Sequence, residues 1–307
     1  SHAGFAVSVG VAGAPATVDF AQGLAEWQSG NWSLVGGLVN VGHLRVTSGA
    51  DRFLTGTLSN RGLVVHDAGR IYLNQGTISN LGADAAQSLA GGIWQGSGGL
   101  ADNWSNGQFQ NTGTIRITGN YAVSVNLVNM GGVLDVDAGT LTLNATGTLG
   151  DGTFYDIADA AIVQHVAGSY AFTGRITGQR EGTGKLRFNG AGISTGFGGA
   201  TLDFGSGVAE WVSGNWSLAN GLTNDGEFTI TGGADRFFTS GSFENRGHVI
   251  HQSGRLYLNS NTIFNLAADG GQGLDGGLWE AGGGSVENWN AGVFNNTSRL
   301  NVVENSL

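Results

Sequence analysis

The chain has 307 residues, a formal net charge of −10 and a single lysine, Lys185, so it offers no basic stripe for nucleic acid or for an anionic membrane surface. Cysteine is absent, which excludes a disulfide framework, thiolate chemistry and a cysteine-ligated metal; the absence suits an exported bacterial protein that crosses membranes unfolded. No run of eighteen apolar residues exists, and the opening Ser1-His2-Ala3-Gly4-Phe5 lacks the basic region and apolar core of a signal peptide, so the expectation is a start inside a mature chain or after a removed leader or tag.

From Leu38 onward a short pattern returns: an apolar residue, an Asn two later, usually a Gly two after that, then apolar residues at plus four and plus six. The Asn are Asn40, Asn60 and Asn80, spaced by twenty, then Asn111, and after a gap Asn224, Asn245, Asn265 and Asn296. The position two before is apolar each time, as in Leu38, Leu58, Ile78 and Phe109. A period near twenty is that of a solenoid, whose units cannot bury their apolar faces alone. Alternation at Leu44 and Val46, Ile71 and Leu73, and Ile115 and Ile117 is that of half-buried strands. Glycine at 57 positions would weaken helices by about 1 kcal/mol at each interior site. The fold expected is all-β: a right-handed parallel β-helix of coils of about twenty residues.

Each Asn is placed at a corner, where it tolerates left-handed backbone geometry and can bond its equivalents above and below in a ladder. Gly42, Gly62, Gly82, Gly113, Gly226 and Gly247 would complete the corner where a Cβ would clash, with Ala267 and Ser298 the departures. Pro15, the one proline, lies outside the repeats, as backbone ladders require.

A larger repeat overlies the first. Residues 17–34 recur at 201–218, Gly49-Ala50-Asp51-Arg52-Phe53 recurs at 233–237, and after one inserted residue an offset of 185 carries His66 to His251, Tyr72 to Tyr257, Trp94 to Trp279 and Trp104 to Trp289. The chain therefore divides into a first tandem unit, 1–190, and a second, truncated one, 191–307, of one continuous solenoid. The second copy stops at Leu307, in register with Ala122, so a longer array is expected.

In both copies the spacing breaks once, from Asn80 to Asn111 and from Asn265 to Asn296, by about eleven residues. The inserted regions, roughly 82–104 and 267–289, hold Trp94, Trp104, Trp279 and Trp289, which either widen the core or face a ligand. Residues 121–190 carry the Asn motif at Asn129 and then become uneven; the helix is expected to continue there with coils of unequal length.

Candidate chemistry is thin. His66 and His251 take positions that are apolar in other coils, so inward, satisfied rings are expected. The pairs Asp51-Arg52 and Asp235-Arg236 are placed at corners, Asp bonding turn amides and Arg covering an edge or pairing with a neighbour; Asp51 and Asp235 are also the candidates for contact with a sugar. Asp19, Glu26, Asp51 and Asp84 could form an acidic cleft, but each has an equivalent in Asp203, Glu210, Asp235 and Asp269, so an active site would be present in duplicate. No repeat-in-toxin calcium motif appears, and Asp135 with Asp137 follows from alternation alone, so no metal or other cofactor is expected.

Units such as Gly37-Leu38-Val39-Asn40-Val41-Gly42-His43-Leu44 and Thr57-Leu58-Ser59-Asn60-Arg61-Gly62-Leu63-Val64 resemble the passenger regions of bacterial autotransporters and two-partner-secreted, filamentous haemagglutinin-like adhesins. The resemblance covers about two thirds of the chain. It implies a right-handed parallel β-helix exported to the cell surface as a filament or stalk for adhesion. The reading is a non-enzymatic structural or adhesive segment of a giant extracellular protein. Its partners would be neighbouring repeat units and host or matrix glycans, without nucleic-acid binding or membrane insertion; the alternative is a carbohydrate-binding or polysaccharide-degrading β-helix protein.

Overall fold

The computed structural model describes residues 7–8, 15–19, 24–269 and 276–303. Among them the chain winds as an all-β solenoid of about 13 turns, slightly fewer than the fourteen or fifteen that the length suggests, and every pair of strands runs parallel. Each turn contributes three strand segments, so three rows of strands run along the rod. In the first copy these rows are the Tyr72 sheet (51–54, 70–73, 99–103), the Asn60 sheet (38–40, 58–60, 77–80, 108–111) and the His66 sheet (43–46, 63–66, 93–96, 114–117).

Alternation within each segment sets what is inside. Arg52, Leu54, Ile71 and Leu73 point inward and are buried, while Asp51, Phe53, Arg70 and Tyr72 point outward. Stacking in register places like on like: Leu38, Leu58, Ile78, Phe109 and Leu127 follow one another down one interior row. The result is one continuous apolar core from Trp27 to Trp279. No coil could bury such a row alone, so stability comes from interfaces between neighbouring coils.

The Asn corners form ladders. Asn40 donates from Nδ2 to Asn60 Oδ1 at 2.8 Å, Asn60 to Asn80 at 2.8 Å, Asn80 to Asn111 at 2.7 Å and Asn111 to Asn129 at 2.5 Å. In the second copy Asn224 donates to Asn245 and Asn245 to Asn265, both at 2.8 Å, and Asn265 to Asn296 at 2.7 Å. Thr153, buried beneath Asn129, takes the next rung at 2.9 Å and ends the first ladder. None of these Asn has a positive φ, so the left-handed tolerance expected of them is not used. They hold the corner by hydrogen bonding, each also donating to a backbone carbonyl or the next coil, as Asn60 does to Ile93 at 3.0 Å. The Gly two residues on are needed for space: a Cβ on Gly62 would lie 2.2 Å from the Gly42 carbonyl oxygen.

Pairing continues without a break from 121 through 190 and across into the second copy, where Ser169 stands beside Gly192 and Leu186 beside Ala209. The second copy is nevertheless rotated about the rod. Following the Tyr72 sheet along its pairs from Ile71 leads through Ala101, Val123, Leu143, His165, Phe188, Trp211 and Ile230 to His251, the counterpart of His66 rather than of a residue in the Tyr72 strand. The Asn60 sheet leads through Leu127, Tyr170, Ile193 and Trp216 to the strands of Phe237 and Tyr257. The His66 sheet leads to Asn224 and Asn245. Every part of the second copy thus sits one sheet further round, because the repeat closes after eight turns and one additional face.

Candidate functional site

The exposed rings lie where the coil is interrupted. The chain leaves the stack after Asn80, makes a short 3-10 turn at Ala85–Gln87 capped by the Asp84 carboxylate, and rejoins it at Ile93–Gly96. One residue of the excess falls later, where Asn103 pairs with Leu73 and Ser105 with Asn74, leaving Trp104 as a bulge between them. Trp104 is 60% exposed and its counterpart Trp289 is 62% exposed. Residues 270–275, in the matching excursion of the second copy, lie outside the described residues.

Trp104 rests on two outward rings of the Tyr72 sheet. Phe53 and Tyr72 stack with centroids 5.0 Å apart and planes 21° from parallel, and the indole meets both edge-on, at 5.2 Å and 5.4 Å. In the second copy Phe237 and Tyr257 stack at 5.0 Å and 23°, with Trp289 edge-on at 5.6 Å and 5.3 Å. Two copies of one geometry mark a platform whose indole is held by packing on both neighbours. Charge rims each platform. The Arg70 guanidinium lies 5.2 Å from the Tyr72 ring centre and pairs with Asp102 at 3.6 Å; its charge is reinforced first by its bond with the Tyr72 hydroxyl and then by Asp102 and Asp51. Arg255 lies 5.5 Å over Tyr257 and grips Asp235 with two bonds of 2.8 Å, which raise its affinity for the proton. Beside the first platform a shallow hollow of about 480 Å³ is lined by Gly49, Asp51, Gly69, Arg70, Gly98, Gly99 and Leu100.

The candidates from sequence therefore separate. Trp104, Trp289, Asp51 and Asp235 come together at the platforms. Trp94 and Trp279 do not face a ligand: both are buried, and Trp94 donates to the Tyr121 hydroxyl at 3.0 Å. Asp51 and Asp235 do not serve turn amides; they point outward, while their neighbours Arg52 and Arg236 are fully buried and hold the corners from within. The acidic residues Asp19, Glu26, Asp51 and Asp84 lie on different rows, and Glu26 bonds Gln28 while Asp84 caps its own turn. Phe53, Tyr72, Arg70, Phe237, Tyr257 and Arg255 were not singled out from sequence. Their signal was present: each lies between inward residues, and each recurs in the second copy.

The inward histidines are buried with lowered pKa values. Burial, seconded by the charge of Arg52, holds His66 down to about 4, and burial with Arg236 holds His251 to about 4. Their satisfaction differs. His66 Nδ1 meets the Tyr121 hydroxyl at 3.0 Å, whereas His251 has no side-chain partner among the described residues and only the Gly254 and Ser253 backbone counters its burial. A histidine whose folded pKa lies below its unfolded value favours folding above about pH 6.5 and loses that contribution as pH falls toward 4, because only the unfolded chain takes the proton. Replacing His251 with Leu should therefore raise stability at pH 5 by about 1–2 kcal/mol and flatten the acid limb of the unfolding curve. His66→Leu should lower stability at pH 7 by about 1 kcal/mol, because the buried Tyr121 hydroxyl keeps the bond it accepts from Trp94 but loses its partner on the imidazole. Thermal unfolding of both variants between pH 4 and 8 checks the contrast.

Among the described residues no group of three or more His, Asp or Glu side chains is placed to share a metal ion, and no helix is long and apolar enough to cross a membrane. No family model, no curated protein and no solved structure matches this chain.

Proposed function

We propose that the chain is a structural and adhesive segment of a repetitive bacterial surface protein, an extended filament or stalk resembling autotransporter passengers and filamentous haemagglutinin-like adhesins, with no catalytic role. The observation that carries the reading is the parallel strand pairing that runs on from the first tandem copy into the second, with local bulges but no gap. Units added to such a stack lengthen it without a new core. At about 4.8 Å per coil the 13 turns make a rod of roughly 60 Å. Leu300 and Val302, exposed on the last coil, correspond to Ile115 and Ile117, which are fully buried beneath Leu134 and Val136.

An antibody against the chain should label intact, unpermeabilised cells and decorate thin rods in negative stain; labelling only after permeabilisation contradicts the surface reading. The polysaccharide-degrading alternative is separated by a reducing-sugar assay on the chain and on Asp51→Ala and Asp235→Ala. Turnover that the substitutions abolish would replace the structural reading.

A further inference from the structure

We propose that Trp104 and Trp289, each seated on its Phe-Tyr stack, are two separate platforms for the pyranose rings of neutral, β-linked, gluco-configured glycans, and that their rotation about the rod makes one chain a cross-linker of glycan strands. The proposal rests on the adhesive reading above and gives it a ligand.

Trp104 stands at a bulge on the outward side of its strand, in step with Leu100 and Asp102, and exposing so large a ring forgoes apolar burial. The same exposed ring on the same two supports stands in the second copy. A gluco-configured ring with β-linkages carries its hydroxyls at its equator and presents C–H bonds on both faces, so it can lie on an indole. The hydroxyls then point to the rim, where Asp51 and Asp102 accept and Arg70 donates. The hollow beside Arg70, at about 480 Å³, is of small-ligand size.

Size and charge decide between occupants. A stable protein interface needs about 800 Å² from each partner, whereas three rings of at most about 250 Å² each, with Trp104 60% exposed and Phe53 and Tyr72 half-buried, offer less than about half of that. Acidic groups at the rims and a net charge of −10 disfavour uronates and sulfated glycans. A neutral sugar matches both constraints.

The platforms cannot act on one short chain. Eight turns and one further face set them roughly 40 Å apart along the rod, on different sides of it. A hexasaccharide therefore fills one platform at a time, while a long polymer is held beside a second strand.

The test is calorimetric titration of the chain with cellohexaose and N-acetylchitohexaose, with viscosity of mixed-linkage β-glucan as a second readout. At least one hexasaccharide should bind with a stoichiometry of two. Trp104→Ala or Trp289→Ala should each halve the stoichiometry, and the double variant should bind at least about tenfold more weakly, with unchanged melting because both rings are largely exposed. Phe197→Ala, which removes a 98% exposed ring elsewhere, should leave binding intact. Wild type should thicken the β-glucan and either single variant should not. Absence of binding to both sugars, binding that survives the double variant, or self-association in sedimentation velocity that the double variant abolishes would each overturn the proposal. Surface labelling of cells is independent of these readouts, so sugar binding can fail while the filament reading stands.

Discussion

Replacing Asn60 with Asp should lower the unfolding free energy by about 4 kcal/mol, although the two side chains are nearly equal in size. Asn60 is fully buried; its Nδ2 donates to Asn80 Oδ1 and the Ile93 carbonyl, and its Oδ1 accepts from Asn40. A carboxylate keeps only the accepting role. It turns an oxygen toward two acceptors and places a charge at a fully buried position. Asn60→Ala removes the clash of acceptors but leaves the rung empty. Asn40 retains longer bonds to the Gly42 and Leu63 carbonyls, both at 3.3 Å, so a smaller loss of about 2 kcal/mol is expected. Urea unfolding reads both, together with amide exchange in the 58–80 coils, because a stack of coils can open locally before it unfolds as a whole. Equal losses for Ala and Asp would show that the side chain fills space and carries no ladder.

Arg52→Met should cost about 3–5 kcal/mol, although it replaces a charged residue by an apolar one of similar length inside an apolar core. The guanidinium is fully buried and fans across one corner. Nη1 donates to the Ala50 carbonyl at 2.7 Å, and Nη2 donates to the Gln28 carbonyl at 2.6 Å, to Thr47 and to Ser48. Its Cζ lies 5.8 Å from the centre of the Trp27 ring. Burial pulls its proton affinity down while Asp51 pushes it up. Methionine would fill the volume and take the guanidinium from all four carbonyls, of which Gln28 alone would keep the Ser48 hydroxyl. Lysine would restore the charge without the fan, since one ammonium cannot reach carbonyls on two coils, so Arg52→Lys should recover less than half of the loss. Arg236 repeats the arrangement with Ala234, Val212 and Gly232, so Arg236→Met should behave alike. Full rescue by lysine would mean that charge alone matters at this corner.

These two residues show how much of the fold was legible. Asn60 announced itself by period, because a stacked corner needs the same amide in every coil and nothing else in the sequence recurs so strictly. Arg52 was harder to read. Its parity with Leu54 places it inside, yet an arginine beside an aspartate reads as a surface pair, and only the carbonyls converging from two coils show why it is buried. The rung at Thr153 is hidden for a similar reason: a hydroxyl replaces an amide there, and the written motif stops.

The platform was half legible. The duplication of Trp104 marked it as a unit with Trp289, but the motif alone did not separate it from Trp94; parity with the buried Ala101 puts Trp104 outward, while Trp94 falls on a buried position of its own strand. The rotation of the second copy was out of reach, because an offset of 185 residues does not reveal how many strand segments it contains when coil lengths vary.

The most direct test of the stacked rod is a distance between spin labels at Gln95 and Gln179, outward positions on one sheet joined through Arg116, Asp135 and Asp156. The native chain has no cysteine, so Gln95→Cys and Gln179→Cys would carry the only labels. Four strand spacings place the two backbones about 19 Å apart, and pulsed dipolar spectroscopy should give one narrow distribution near that value, widened by the label arms. A broad distribution, or a main distance beyond about 35 Å, would mean that these coils do not lie one above another.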